Sequence, residues 1–193
     1  MTLVSASESI LKAIEKRFET VGHPADITLV HSCGQSDRKD GIQHLAHEGL
    51  VKRIVGSHWG LQPRWMEMIA NSQVEAYCLP QGQIAQLYRS MACGLPGKMS
   101  KVGLGTFIDP RVEGGKMNDR TKPLPDIVDI LEYGGEEYMF YKEIPLDTVL
   151  IRGTVCDEMG NLTTTEEAMK LEVLPAVLAA KRYGGRVIAQ VKQ

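Results

Sequence analysis

The sequence lacks the features that assign a chain to a membrane, to secretion or to a nucleic acid. No apolar run approaches the about 18 residues of a membrane-spanning helix, and the amino terminus does not follow the basic-then-apolar order of a signal peptide. Positive charge is not in excess: 22 Lys and Arg stand against 24 Asp and Glu, a formal net charge of −2. Since nucleic-acid-binding domains normally carry a basic stripe, we expect a cytoplasmic protein without a membrane or nucleic-acid partner.

Metal-binding and disulfide patterns are also missing. No CxxC pair occurs among the four cysteines, which lie far apart at Cys33, Cys78, Cys93 and Cys156. This spacing favours neither a disulfide framework nor a zinc site. His44 and His47 share one helix face, but the string HLAHE matches neither HExxH nor HxxEH. We therefore predict no metal.

What is present is an ordinary globular composition, with 193 residues of which 43% are hydrophobic. The chain opens with a helix capped by Ser5 or Ser7 and ended by Gly22. Strands are then predicted at 26–32, 52–57 and 74–79, alternating with helices at 42–50, 63–71 and 83–93. This alternation predicts an α/β fold, an open and mostly parallel sheet with helices on both faces.

The second half of the chain departs from this alternation. Residues 94–120 are rich in glycine and predict a long ordered loop. Strand-like segments at 127–133 and 136–141 flank Gly134-Gly135, which predicts a small β-hairpin. A strand at 148–155, a helix at 167–183 kinked by Pro175, and a strand at 187–191 complete the prediction.

Three short segments follow predicted strands, at 32–35, 57–60 and 80–82. Open α/β sheets bind ligands at the carboxyl ends of their strands, so these segments are candidates for a site. Gln81 begins a helix and offers an amide donor for a carbonyl oxygen or oxyanion, although a Pro-Gln-Gly turn is equally a structural feature. His58-Trp59 either stacks on a planar ligand or forms a buried pair, and no base pairs with Cys33 as a nucleophile.

The stretch at 101–118 is the most unusual in the sequence, because it is rich in glycine and also carries several charged residues. Its Gly103-Leu104-Gly105 is not a dinucleotide fingerprint, because Ile108 stands where the third glycine belongs. Arg111 and Lys116 are candidates to bind a carboxylate or phosphate; the alternative is a glycine-rich surface loop with solvated charges.

These stretches together resemble the amino-terminal half of the acetate and propionate CoA-transferases, short-chain acyl members of the type I CoA-transferase family. The resemblance is carried, in the family's order, by HLAHEGL at 44–50, GSHWG at 56–60, PQG at 80–82, VGLGTFIDPR at 102–111, GGKMN at 114–118, LIRGT at 150–154, GGRV at 184–187 and QV at 190–191. It spans nearly the whole chain and is far more specific than any single motif.

The resemblance implies transfer of CoA from an acyl-CoA to a short-chain carboxylate, with CoA as substrate and no permanently bound cofactor. The family's reaction passes through an acyl-glutamyl anhydride and a glutamyl-CoA thioester. By residue-to-residue match, Gln81 is a substrate-positioning or oxyanion-side residue, and Gly82 allows close approach of the backbone. Phe107 and Asp109 lie in the matching GTFIDPR stretch and are expected to shape the pocket.

Two departures from the family bear on activity. The family's nucleophilic glutamate stands in a Glu-Ser/Thr-Gly context in the carboxyl-terminal half, and nothing here matches it; Glu113-Gly114-Gly115 lies inside the glycine-rich loop. Residues 1–193 are therefore expected to be one CoA-transferase-like domain, incomplete at both ends, without the opening strand and the catalytic half. We expect an oligomer that needs a glutamate-bearing half or subunit. A non-catalytic module for a small acid or sugar phosphate, and an inactive truncated product, are the alternatives.

Overall fold

The computed structural model describes residues 6–192. The first part of the chain comprises α1 Glu8–Val21, β1 Ile27–Val30, a 3-10 helix at Gly41–Leu45, β2 Val51–Gly56, α2 Pro63–Ala70, β3 Glu75–Cys78 and α3 Gln81–Ala92. The second part comprises β4 Gly97–Ser100, β5 Val128–Tyr133, β6 Glu136–Lys142, β7 Thr148–Arg152, α4 Val173–Arg182 and β8 Arg186–Gln190. Within the described range no helix combines the length and apolar character needed to cross a membrane.

The parallel strands form two pieces. Strands β1, β2 and β3 lie in that order in one sheet, and β7 pairs with β8 in another. On one face α1 and α2 pack against β2, where Trp65 and Ile54 are fully buried. On the other face Ile84 and Tyr88 of α3 pack on Tyr77 of β3. Parallel strands covered on both faces by helices confirm the predicted α/β class.

The predicted hairpin is part of a larger antiparallel sheet. Gly134 and Gly135 have φ of 64° and 78°, as a tight turn between β5 and β6 requires. Strand β4 adds to the other edge of β6, inside residues 94–120 that sequence reasoning assigned to a loop. The prediction of a loop is wrong for residues 97–100, because a strand that begins with glycine lacks the run of β-branched residues that would indicate it. A β-carbon at Gly97 would overlap the Tyr141 carbonyl and the Phe140 ring of β6.

Two predicted helices are shorter than expected. The segment predicted as a helix over 42–50 is a 3-10 helix over Gly41–Leu45, followed by turns. The helix predicted over 167–183 begins only at Val173, so Pro175 falls in its first turn, where proline removes no helical hydrogen bond and needs no kink. At the other end of the chain Ser7 is the N-cap of α1, and the alternative, Ser5, lies outside the described residues.

Replacing Gly97 tests the β4–β6 contact. We expect Gly97→Ala to lower the free energy of unfolding by about 1–3 kcal/mol, because the added methyl group forces β4 away from β6. Urea unfolding followed by circular dichroism measures the change. Gly82→Ala is the matched control, since a β-carbon there meets no atom within 4 Å and alanine favours a helix over glycine. Equal stability of the two variants would contradict the assignment of β4.

Candidate functional site

The structure brings together the three segments that follow β1, β2 and β3. The Ser57 hydroxyl donates a hydrogen bond to the carbonyl of Ser32, which ties the second segment to the first. The Leu79 N–H donates to the carbonyl of Gly56 at 2.9 Å, which ties the third segment to the second. The carboxyl ends of the three strands therefore form one continuous polar edge.

A cavity of about 500 Å³ opens below this edge. Polar side chains line it at the edge, from His31, Ser32, Cys33, Gln35 and Gln81. Its interior is mostly apolar, with side chains such as Leu29, Val149 and Leu150. A few polar groups converging on an apolar cavity are the usual composition of a site for a small organic ligand.

Gln81 is the first residue of α3, directly after Pro80 in an extended conformation. Its side chain is exposed and lines the cavity, and within residues 6–192 its amide is free to bind a ligand. The neighbouring Gly82 is also exposed, and a β-carbon there would meet nothing within 4 Å. No neighbour within the described chain therefore requires a glycine at this position.

His31 lies at the carboxyl end of β1 in an unusual environment for histidine. Both ring nitrogens are shielded from solvent and have no hydrogen-bond partner in the described chain. The ring meets Trp59 edge-on, with 5.1 Å between ring centroids. Burial, helped by the nearby His58, lowers the pKa of His31 to about 4. His31 is consequently neutral at pH 7, and it offers one donor and one acceptor to whatever lies beside it.

Sequence reasoning did not single out His31, and it also missed two further residues of this region. Glu172 accepts a 3.0 Å hydrogen bond from the Ser32 hydroxyl, across 140 positions of sequence, and it lines the cavity with Tyr88. Burial, together with the charge of Glu172, raises the pKa of the Tyr88 hydroxyl. No local pattern signals either residue, because each lies within a segment predicted to be helical.

Phe107 and Asp109 do not line the cavity; they organise the glycine-rich loop. The Asp109 carboxylate is buried and accepts hydrogen bonds from the Gly105 N–H at 2.9 Å and from Arg111 Nη2 at 2.8 Å. The Arg111 guanidinium holds the pKa of Asp109 well below its usual range. The carboxylate partners of Arg111 in this structure therefore belong to the chain itself, namely Asp109 and Glu137.

Backbone hydrogen bonds attach this loop to the end of β3. The Phe107 carbonyl accepts from the Gly115 N–H at 2.9 Å, and the Gly115 carbonyl accepts from the Cys78 N–H at 2.7 Å. Two successive backbone hydrogen bonds therefore connect Phe107 to β3, the strand that leads into Gln81. The side chain of Phe107 is exposed. Lys116, the second candidate anion-binding residue, pairs with Asp126 at 2.9 Å.

His44 and His47 hold α1 against the 3-10 helix. Both rings contact the Glu15 carboxylate, and His44 Nε2 also lies 2.8 Å from Glu8. Burial works to lower the pKa of His44, but the carboxylates of Glu15 and Glu8 outweigh it and the pKa is raised. Candidate metal-ligand atoms lie within 4.8 Å of one another in two groups, Glu8, Asp40, His44 and Glu15, Glu19, His47. His44 contacts Glu8 and Asp40 in the first group, and His47 contacts Glu15 in the second. The absence of a metal stays a prediction.

Comparison with known proteins identifies the family. A family model described as coenzyme A transferase matches residues 8–193. The chain belongs to the coenzyme A transferase family. It is 42% identical over 193 residues to the caffeate CoA-transferase of Acetobacterium woodii, covering all of this chain and 36% of that protein.

Two further relatives show how the chain relates to whole enzymes. The acyl-CoA transferase YdiF of Escherichia coli O157:H7, solved as a thioester complex with CoA, has a TM-score of 0.93 at 35% identity, over 97% of this chain and 36% of that one. The alpha subunit of the acetoacetyl-CoA:acetate/butyrate CoA transferase of Clostridium acetobutylicum is 31% identical over 121 residues, 63% of this chain and 48% of the subunit. The chain thus spans about a third of the length of caffeate CoA-transferase and YdiF.

The environment of His31 makes stability depend on pH. An unfolded histidine titrates near pH 6.5, whereas folded His31 titrates at about 4. Between these values the unfolded chain binds a proton that the folded chain does not, so stability falls as pH falls. From pH 7 to pH 5 we expect the free energy of unfolding of the wild-type chain to fall by about 2 kcal/mol more than that of His31→Phe. Urea unfolding at both pH values measures it. The contribution of His44 to the pH dependence is the same in both proteins and cancels. Equal losses of stability in the two proteins would therefore refute the buried, neutral state of His31.

Proposed function

We propose that this chain forms part of a short-chain acyl-CoA:carboxylate CoA-transferase of the acetate/propionate type. Its reactive glutamate comes from a carboxyl-terminal half or a partner subunit. The observation that carries the proposal is the family match over residues 8–193, combined with a chain that spans 36% of caffeate CoA-transferase. No Glu-Ser/Thr-Gly motif occurs in the sequence, so the chain contributes binding groups and not the nucleophile.

The proposed reaction exchanges one carboxylate for another on CoA. A glutamate oxygen attacks the thioester carbonyl, the C–S bond breaks, and CoA leaves as a thiolate from an acyl-glutamyl anhydride. The thiolate attacks the glutamyl carbonyl of this anhydride, which gives glutamyl-CoA and frees the donor carboxylate. The acceptor acid repeats both steps in reverse order. Each step develops an oxyanion and competes with hydrolysis, so the site needs hydrogen-bond donors and exclusion of water.

The residues of this chain supply such features around the polar edge. The Gln81 amide and the N–H groups at the start of α3 are the donors we assign to the acyl or carboxylate oxygen. Open space at Gly82 lets a substrate or a partner backbone approach this helix terminus. Phe107 and Asp109 act through the loop beside β3, where Asp109 fixes the conformation and Phe107 presents an exposed ring.

The partners follow from the same chemistry. Acyl-CoA and a short-chain carboxylate such as acetate or propionate are the substrates, and CoA enters as substrate, not as a resident cofactor. A clostridial relative is named as an alpha subunit, which supports assembly with a second part and formation of an oligomer. We also propose that the protein acts in the cytoplasm.

A complementation assay tests the proposal. The pure chain alone is expected to show no exchange of CoA between propionyl-CoA and acetate. Adding the carboxyl-terminal portion of caffeate CoA-transferase, where the family resemblance implies the glutamate, is expected to restore exchange. Borohydride, which reduces a glutamyl thioester, is then expected to inactivate the mixture only when acyl-CoA is present. CoA exchange by the isolated chain would refute the proposal that its nucleophile lies on another part or subunit. Failure to form a complex, with saturable binding of a sugar phosphate, would instead establish a binding module.

The role of Gln81 is tested in the same mixture. We expect Gln81→Ala to lower kcat by about 100-fold or more, the usual effect of removing an oxyanion donor. Its stability is expected to stay within about 0.5 kcal/mol, because the side chain is exposed. Gln86→Ala, on the exposed surface of the same helix, is the matched control and is expected to keep full activity. Equal activity of the two variants would exclude Gln81 from the site.

A further inference from the structure

The loop between β1 and the 3-10 helix carries a pair of basic residues beside the candidate site. We call residues 33–40 the β1 loop; its early residues Cys33 and Gln35 line the cavity at the polar edge. Arg38 and Lys39 follow a few positions later, and both are exposed. Ligands of open α/β sheets bind outside the carboxyl ends of the strands. The β1 loop therefore places positive charge beside the region where a substrate is expected.

Arg38 is held in a backbone conformation that arginine disfavours. Its φ is 83°, in the left-handed region that glycine enters readily and that is strained for a residue with a β-carbon. The Ser36 hydroxyl accepts a hydrogen bond from the Arg38 N–H at 3.1 Å, and the Gln43 amide donates to the Arg38 carbonyl. Both of these side chains are buried. Glycine would satisfy a turn needed only for its shape, so the strain points to a use for the Arg38 side chain.

The acidic residues of the β1 loop are engaged by the chain, whereas its basic residues are not. The Asp37 carboxylate accepts hydrogen bonds from the Lys39 N–H at 3.1 Å and from the Asp40 N–H at 2.9 Å. The Asp40 carboxylate lies 3.3 Å from Lys12 Nζ. Within residues 6–192 the side chains of Arg38 and Lys39 contact no carboxylate. The guanidinium and the ammonium group are therefore free to bind an external anion.

We propose that Arg38 and Lys39 bind the phosphate groups of CoA. Arginine recognises phosphate through paired hydrogen bonds, and lysine does so as a point charge. The inference deepens the proposed function and rests on it for the identity of the ligand. It assigns the nucleotide end of acyl-CoA to the β1 loop, while the acyl end stays with Gln81.

The position of the basic pair in the fold agrees with the shape of CoA. Strands β1 and β3 flank β2, so their ends lie about 10 Å apart. Gln81 follows β3, and Arg38 and Lys39 follow β1. The pantetheine arm of CoA separates its thioester from its phosphates. One acyl-CoA molecule can therefore lie along the polar edge, with its thioester at the end of β3 and its phosphates beyond the end of β1.

Thioesters with and without phosphates test the proposal in the complemented mixture. Propionyl-CoA carries the phosphate groups, whereas propionyl-pantetheine has the same thioester and arm without them. We expect the double variant Arg38→Gln, Lys39→Gln to raise KM for propionyl-CoA by about 10-fold, because it removes two charge-assisted contacts. For propionyl-pantetheine KM is expected to change by less than about twofold, and kcat is expected to stay constant for both thioesters.

The double variant Lys16→Gln, Arg17→Gln is the matched control. These basic residues are also adjacent and exposed, but they lie on α1, so the control removes the same charge elsewhere. It is expected to leave KM for both thioesters unchanged. An equal rise of KM in the control would overturn the proposal. So would an unchanged KM for propionyl-CoA in the loop variant, or a rise that is equal for both thioesters.

Arg38→Gly separates ligand binding from the structure of the loop. Glycine fits a φ of 83°, so the urea midpoint of unfolding is expected to equal or exceed that of the parent chain. KM for propionyl-CoA is nevertheless expected to rise by about threefold, because one cation is lost. A lower midpoint with an unchanged KM would show that Arg38 serves only the loop, and would overturn its assignment.

Calorimetry on the pure chain decides the phosphate site if the mixture shows no exchange and the proposed function fails. CoA and pantetheine are titrated separately into the parent chain and into the double variant of the loop. Tighter binding of CoA than of pantetheine, with the difference lost in the variant, supports the site. Equal binding of the two ligands by the parent chain, or no binding of either, refutes it. The two failures are therefore distinguishable.

Discussion

Parallel pairing of β1, β2 and β3 is the constraint on which the site depends. It places three segments that are distant in sequence at one edge, where side chains and carbonyl groups link them laterally. The close approach is possible because Gly56 ends β2. A β-carbon at Gly56 would overlap the rings of His31 and Trp59. The buried rings of His31 and Trp59 therefore require a glycine at position 56, and this packing fixes which residues form the edge.

The glycine-rich loop extends the same edge by a different physical means. Backbone pairing, and not charge, attaches it, since Gly115 and Met117 bond to the main chain of β3. A β-carbon at Gly115 would approach the Cys78 carbonyl to 2.7 Å, so only glycine permits the contact. The buried Asp109 carboxylate then accepts hydrogen bonds from the Gly105 N–H before it and from the N–H and guanidinium of Arg111 after it, which fixes the turn. Arg111 and Lys116 pair with carboxylates of this same chain, and these ion pairs stabilise the shape of the loop.

Sequence reasoning recovered what depends on local pattern. Apolar, β-branched runs that alternate with helical patterns located all four parallel-sheet strands predicted between residues 26 and 155, and Gly134-Gly135 located the hairpin turn. It failed where tertiary contacts decide. Strand β4 forms because β6 offers an edge to a glycine-containing segment, and α4 starts six residues late because the preceding stretch packs as turns. In the site, Gln81 was found from its place after a strand, whereas Glu172 was invisible because only the folded chain brings it to Ser32.

The polar edge and the apolar cavity act together in the candidate site. His31 and Ser32 belong to the polar edge that carries Gln81, and they line the same cavity as the apolar side chains of β1 and β7. An apolar surrounding excludes water, so hydrogen bonds from the edge to a bound group meet little competition. The neutral His31 fits this arrangement, because an uncharged ring can pair with a polar group without the cost of burying a charge.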